Sequence, residues 1–239
     1  ELKKILVRNL EKASQKVEDP SILTNHAGEI LEDPEIEIVI EVMGGMQPAL
    51  TYMLAALNAG KSVVTANKDV VASEGKKLLD TAKANGRDFL YEASVAGGIP
   101  IIRPLKQCLA GNHITEVIGI FNGTTNFILT KMSKEGMEFD EALQLAQDLG
   151  YAEADPTSDI EGLDAGRKVA ILASAAFNSR VVFENVYTEG IARITARDIL
   201  YAKEMGCEIK LLGVARLTPE GIEARVHPML IDSDHPLAS

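Results

Sequence analysis

Between Gly150 and Lys168 the chain reads GYAEADPTSDIEGLDAGRK. It carries five carboxylates (Glu153, Asp155, Asp159, Glu161 and Asp164) and no base before Arg167 and Lys168. A lysine set among apolar residues can donate a proton, and carboxylates beside it can hold a substrate ammonium. Asp164 and Lys168 are four apart, so a helix starting near Leu163 turns both to one face. The same spacing fits an exposed ion pair worth only a few tenths of a kcal/mol, and spacing alone does not decide between them. Gly150, Pro156 and Gly162 punctuate the segment, so its backbone is shaped, and it runs into the apolar stretch KVAILASAAF.

The elements that would position these residues follow from periodicity and punctuation. Lys4 to Val7 reads as a short strand. After a polar connection, EIVIEV (Glu37 to Val42) reads as a buried strand bounded by Gly44 and Gly45. Pro48 can open a helix to about Asn58, Ser62 to Thr65 is a strand, Ser73 can cap a helix ending near Asn85-Gly86, and Phe89 to Glu92 is another strand. Strand and helix alternating predict a parallel α/β sheet. The pattern changes near Val95. Ile101 to Leu109, Thr124 to Lys134, Phe139 to Leu149 and Gly162 or Leu163 to Phe177 read as helices, and His113 to Phe121 as a strand. Thr195 can cap a further helix, and Ile209 to Leu217 with Ile222 to Leu230 flank Pro219-Glu220-Gly221 as a hairpin-like pair, which predicts an α+β second domain.

A length of 239 residues and a 46% hydrophobic share fit one large or two modest globular domains. No apolar run reaches the roughly 18 residues of a membrane-spanning helix, and Glu1 opens no signal-peptide pattern. A net charge of −11 argues against a nucleic-acid partner, which needs a basic face. Cys108 and Cys207 form no disulfide framework and read as small core residues. His26, His113, His227 and His235 lack zinc spacing.

Other positions carry two readings each. Gly44-Gly45 ends a strand, where open α/β sheets bind ligands, and is equally a plain turn. Thr65, Asn67 and Lys68 lie just past the next strand, where a loop lysine is ordinarily solvated. Arg8 follows the first strand, where an Arg accommodates the 2′-phosphate of NADP and an acid would hold the ribose of NAD, so it favours NADP unless it is a surface Arg. Glu92 to Pro100 sets one acid among carbonyls on a bent backbone, oxygens that a hard cation takes, although most such bends bind nothing. Asn122-Gly-Thr-Thr-Asn126 precedes a helix and supplies polar groups; capping by Thr124 or Thr125 explains it sufficiently, and the block is expected to line the cleft without a catalytic step.

AQDLGYAEADPTSDIEGLDAGRK from Ala146 resembles the signature of homoserine dehydrogenases. GKSVVTANK (Gly60 to Lys68), EASVAGGIPII (Glu92 to Ile102) and GIFNGTTNFIL (Gly119 to Leu129) resemble other blocks of that family, in its usual order. The resemblance covers nearly the whole chain. It implies an α/β fold: a Rossmann-like parallel-sheet nucleotide-binding domain over residues 1–94, lacking its first strand and Gly-rich turn, and an α+β substrate-binding, catalytic and dimerisation domain over residues 95–239. A late Gly-rich segment of the family is not found before Ser239 either.

The activity implied is the NAD(P)-dependent interconversion of L-homoserine and L-aspartate 4-semialdehyde, a step of threonine, methionine and isoleucine biosynthesis. By resemblance, Lys168 donates the proton and Lys68 lies between nicotinamide and substrate. Glu153 and Asp164 bind the substrate ammonium or hydroxyl and orient Lys168. Gly44, Gly45, Thr65, Asn67, Lys68 and Gly150 contact the cofactor, with Arg8 beside them. The Glu92 side chain and the carbonyls of Val95, Gly97 and Ile99 hold a monovalent cation, sodium in type. Asp155 and Asp159 shape the loop. A homodimer or homotetramer in the cytoplasm is expected, with no membrane partner. Three other readings stay open: another amino-acid dehydrogenase, a non-catalytic binding or assembly fragment, and one part of a fusion with an aspartate kinase or regulatory domain.

Overall fold

A computed structural model describes residues 1–238, in two compact units: Glu1–Ile99, and the remainder from Pro100. In the first, β1 (Ile5–Leu6), α1 (Leu10–Ser14), β2 (Leu23–Thr24) and α2 (Gly28–Leu31) precede β3 (Ile38–Glu41), α3 (Ala49–Asn58), β4 (Ser62–Thr65), α4 (Lys68–Ala84) and β5 (Phe89–Leu90). The polar connection before Glu37 thus contains a strand and two short helices. All pairings are parallel, as the alternation predicts, but they form two sheets: β1 with β2, and β3–β4–β5.

In the larger sheet Val39, Val63 and Phe89 lie in one row, and Val63 and Phe89 are buried beneath α3 and α4. The neighbouring row, Ile40, Val64 and Leu90, points the other way, and Ile40 is 66% exposed. The expectation that Glu37 to Val42 is buried therefore fails: Ile38, Ile40 and Val42 are all exposed. Parallel sheets are ordinarily covered on both faces. Among the described residues this one is covered on one, and the free side of β3 opens on a cavity of about 700 Å³ that β1, Ile30 and Leu31 also line.

Ser73 does not cap α4. Asn67 does, its side chain accepting from Val70 N at 3.2 Å, so the helix starts six residues earlier and Lys68 is its first residue rather than a loop lysine.

The second unit begins with a helical stretch in which Pro104–Cys108 is π-helical, Leu109 N–H reaching back five residues to the Pro104 carbonyl. Then follow β6 (Glu116–Gly119), α5 (Gly123–Glu135), α6 (Phe139–Asp148), α7 (Thr157–Ile160), α8 (Leu163–Phe177), β7 (Tyr187–Thr188), α9 (Ala196–Glu204), β8 (Cys207–Thr218) and β9 (Gly221–Asp232). The strand expected over His113 to Phe121 is limited to four residues. The sheet runs β6–β8–β9–β7, antiparallel except for β7 beside β9, and the long β8–β9 hairpin is its spine. Helices α5, α8 and α9 pack on β8, burying Ile128, Leu129, Met132, Val169, Leu172, Ile199, Leu212 and Val226. This is the α+β arrangement expected. The cysteines are not core residues: Cys108 is exposed at the end of the π-helical turn, whose buried side is Leu105, and Cys207 is half-buried at the start of β8. No described helix is long and apolar enough to cross a membrane.

Candidate active site

The second unit places Asp164 and Lys168 on the first two turns of α8. Gly162, at φ +77°, ends the acidic segment in the left-handed region that favours glycine and lets α8 start at Leu163. Asp164 is 5% exposed. Its Oδ2 accepts from Lys168 Nζ at 2.6 Å and from Asn122 Nδ2 at 3.0 Å. A carboxylate so deeply placed is tolerated only when paired and hydrogen-bonded, and that geometry rules out the exposed ion pair as the description of this couple. Lys168 Nζ also donates to the Phe121 carbonyl at 2.7 Å. The lysine therefore stands as a half-buried ammonium between a carboxylate and a carbonyl, a donor aimed by two acceptors.

Asn122, from the block expected to cap a helix and line the cleft and given no role of its own, joins this cluster. It is the cap of α5, Oδ1 accepting from Thr125 N at 2.8 Å, in place of the Thr124 or Thr125 expected. Its amide nitrogen is then free to bridge Asp164 and Asp159 Oδ1 (2.7 Å). Asp159 is thus tied to the cluster and does more than shape its own loop. Asp155 does shape the loop. It accepts from Thr157 Oγ1 (2.6 Å) and N (3.1 Å), and the Thr157 hydroxyl holds its carboxyl below the usual range. Glu153 is exposed, and its main-chain carbonyl accepts from Gln147 Nε2 at 3.1 Å. Gly150 turns the chain after α6 at φ +77° and is exposed.

In the first unit, Gly44 and Gly45 follow β3 at φ +74° and +71°, with open space where a Cβ would stand. The feature that organises them is Glu41, 3% exposed and unmarked in the sequence reading. Its Oε1 accepts from Met43 N (2.7 Å) and Gly44 N (3.2 Å), and its Oε2 from Thr65 Oγ1 (2.6 Å). Thr65 Oγ1 accepts from Asn67 N (2.9 Å), and Asn67 Nδ2 donates to the Gly45 carbonyl (2.8 Å). One hydrogen-bonded set therefore joins the C-terminal ends of β3 and β4 to the N-terminus of α4, where Lys68 sits. Carboxyl ends of parallel strands are where such sheets bind ligands. Arg8 lies exposed just beyond β1.

Glu92 opens a 3₁₀ turn (Glu92–Ser94), Val95 is buried, Ala96 and Gly97 are successively left-handed (φ +62° and +57°), and Ile99 is exposed. One carboxylate with main-chain carbonyls is an oxygen-only donor set, suited to a hard cation rather than to zinc or copper. Among the described residues no group of three or more His, Cys, Asp or Glu could hold a metal.

Comparison with known proteins gives the family. The family model "Homoserine dehydrogenase" matches residues 100–239, and "Homoserine dehydrogenase, NAD binding domain" matches residues 1–92. The chain belongs to the homoserine dehydrogenase family. Homoserine dehydrogenase of Bacillus subtilis (strain 168) is 49% identical over 238 residues, which are 100% of this chain and 55% of the relative. That of Corynebacterium glutamicum is 48% identical over all of this chain and 55% of its own length. The crystal structure of a homoserine dehydrogenase from Thiobacillus denitrificans superposes with a TM-score of 0.95 at 48% identity, covering 99% of this chain and 55% of that one. A hyperthermophilic archaeal homoserine dehydrogenase in complex with NADPH matches at TM-score 0.78 and 29% identity, over 95% and 68% of the two chains. The chain spans about half the length of the curated relatives it matches.

Proposed function

We propose that this chain carries out the homoserine dehydrogenase reaction, the NAD(P)-dependent interconversion of L-homoserine and L-aspartate 4-semialdehyde in threonine, methionine and isoleucine biosynthesis. The observation that carries the proposal is the buried couple of Asp164 and Lys168, with its acceptors in place. The nicotinamide, when bound, supplies the hydride that the aldehyde carbon receives. The carbonyl oxygen that gains charge needs a proton, and Lys168 Nζ gives it while Asp164 and the Phe121 carbonyl hold the ammonium in line. In the oxidative direction the neutral amine takes the hydroxyl proton back. Asp164 and Glu153 hold the substrate ammonium or hydroxyl. Lys68, first residue of α4, polarises the same oxygen or positions the reactants.

Gly44, Gly45, Thr65, Asn67 and Gly150 hold the dinucleotide, and Arg8 favours the 2′-phosphate of NADP. The Glu41-centred hydrogen bonds support the first four by fixing the backbone they share. The Glu92 side chain and the Val95, Gly97 and Ile99 carbonyls hold a monovalent cation, sodium in type, which braces the backbone. We assign the division at residues 94 and 95 between cofactor and substrate domains, a homodimer or homotetramer, and a cytoplasmic site of action to the same reading. The test is NADP-dependent oxidation of homoserine, followed at 340 nm, beside the melting temperature with and without NADP. Turnover together with a rise in melting temperature supports the reading. Neither, in a folded chain, refutes it and favours the second reading, an assembly module, for which the exposed apolar side chains of Ile38, Ile40 and Val42 speak.

A further inference from the structure

We infer that Gly213, in β8, is a positioning residue for Lys168, acting through the ring of Phe121. A Cβ on Gly213 would stand 2.4 Å from Phe121 Cδ2 and 2.4 Å from Val169 Cγ2, distances that real Cβ atoms do not show. Gly213 pairs with Gly119 across the β6–β8 ladder, and a Cβ on Gly119 would stand 3.2 Å from Phe121 Cζ. Two opposed glycines thus leave a hollow in the sheet surface, and the Phe121 ring fills it.

The ring anchors the main chain that holds the lysine. The Phe121 carbonyl accepts from Lys168 Nζ at 2.7 Å. The next residue, Asn122, donates to Asp164 Oδ2, the atom that accepts from Lys168 at 2.6 Å. Both acceptors are therefore fixed by two consecutive residues whose backbone position depends on how deeply the ring sits. The helix side is set by the same glycine, because Val169, which fills the other part of the space, immediately follows Lys168 in α8. A methyl group at position 213 would push the ring and the helix apart, lengthen the carbonyl contact and turn Asn122 away from Asp164. Packing density leaves no spare volume to absorb it.

The kinetic part of this inference rests on Lys168 being the proton donor; its spectroscopic part does not. The experiment uses the whole chain, labelled with ¹⁵N. Ammonium protons of solvated lysines exchange too fast to observe, whereas those held by two acceptors are retained. The wild type is expected to show a lysine ammonium cross-peak that Lys168→Arg removes. Gly213→Ala is expected to lose or broaden that peak and to lower kcat by about 10- to 100-fold, since a displacement of about 1 Å at a reacting group costs on the order of 100-fold. The rise in KM is expected to be smaller. Phe121→Leu, which shrinks the anchor without crowding the sheet, is expected to show the same loss and decides the matter if Gly213→Ala does not fold. Gly111→Ala, where a Cβ meets nothing within 4 Å, is the control and should change neither. The inference is overturned if a folded Phe121→Leu keeps the cross-peak unchanged and its turnover, where the wild type turns over, within twofold. It is also overturned if the wild type shows no Lys168 cross-peak. An inert wild type with a retained cross-peak that both variants lose would refute the proposed activity and leave the positioning intact.

Discussion

Replacing Glu41 by Gln tests whether the turn of Gly44 and Gly45 is held from beneath. The carboxylate uses both oxygens: Oε1 takes two main-chain N–H groups, and Oε2 takes the Thr65 hydroxyl. Glutamine can keep one oxygen under Met43 and Gly44, but then its NH₂ faces Thr65 Oγ1. That oxygen already accepts from Asn67 N and can accept once more, so the threonine's own proton is left without an acceptor in a site 2% exposed. A buried unsatisfied donor costs about 1–3 kcal/mol, and the two N–H bonds lose their charge assistance at roughly 0.5 kcal/mol each, for a total of about 2–4 kcal/mol. Native-state hydrogen exchange reads this locally. At about 1.4 kcal/mol per tenfold, the amides of Val63 and Val64 should exchange roughly 30- to 700-fold faster, while that of Leu212 in the other unit keeps its wild-type rate. NADP-induced protection of the Gly44 and Gly45 amides should vanish as well. A folded variant whose Val63 and Val64 exchange changes less than threefold would refute the reasoning.

Gly190→Ala should be far worse than its size suggests. A Cβ there would meet the Ile160 carbonyl oxygen at 2.0 Å, backbone that cannot swing aside, so we expect a loss above about 3 kcal/mol and little folded protein by circular dichroism; a melting temperature within 3 °C of wild type would contradict this. Lys210, 3% exposed, has its pKa lowered, chiefly by burial and also by Lys134, against the opposing pull of Glu208. Below the folded-state value both states hold the proton, and the buried charge costs its full amount. As pH rises from there towards about 10.4 the unfolded chain keeps its proton longer, so folding gains stability. Urea unfolding at pH 7.5 and 10 should show wild type improving relative to Lys210→Met, and a pH-independent difference would sink the argument. Asp164→Asn, which leaves the lysine with only neutral acceptors, should raise KM for homoserine and lower kcat together, and a change in neither would remove Asp164 from the site.

Sequence and structure agree where information is local. Asp164 and Lys168 share a helical face, so spacing could place them, and Pro219-Glu220-Gly221 announced the β8–β9 hairpin. Asn122 meets Asp164 across 42 positions, and no spacing rule reaches that far. Its block resembled a cap because it is one, and the amide left over after capping does the further work. Glu41 was hidden for another reason. It ends an apolar run, and nothing in EIVIEV separates the one buried acid from its exposed neighbours. The same run misled about burial, because apolar composition reports what a strand prefers and not whether a second layer covers it. Lys68 falls inside α4 because Asn67, as good a cap as Ser73, stands earlier, and propensity alone does not choose between the two. Glycine contacts such as those of Gly213 are invisible in sequence, since what matters is the neighbour that fills the missing side chain.

The most direct test of the account is NADP-dependent oxidation of homoserine by the wild-type chain beside Lys168→Ala, with both shown folded by circular dichroism. The account predicts an active wild type and a variant slower by about 10²- to 10⁴-fold. A folded variant with near-normal turnover would contradict it and turn attention to Lys68; an inert wild type would contradict the claim that this chain performs the reaction at all.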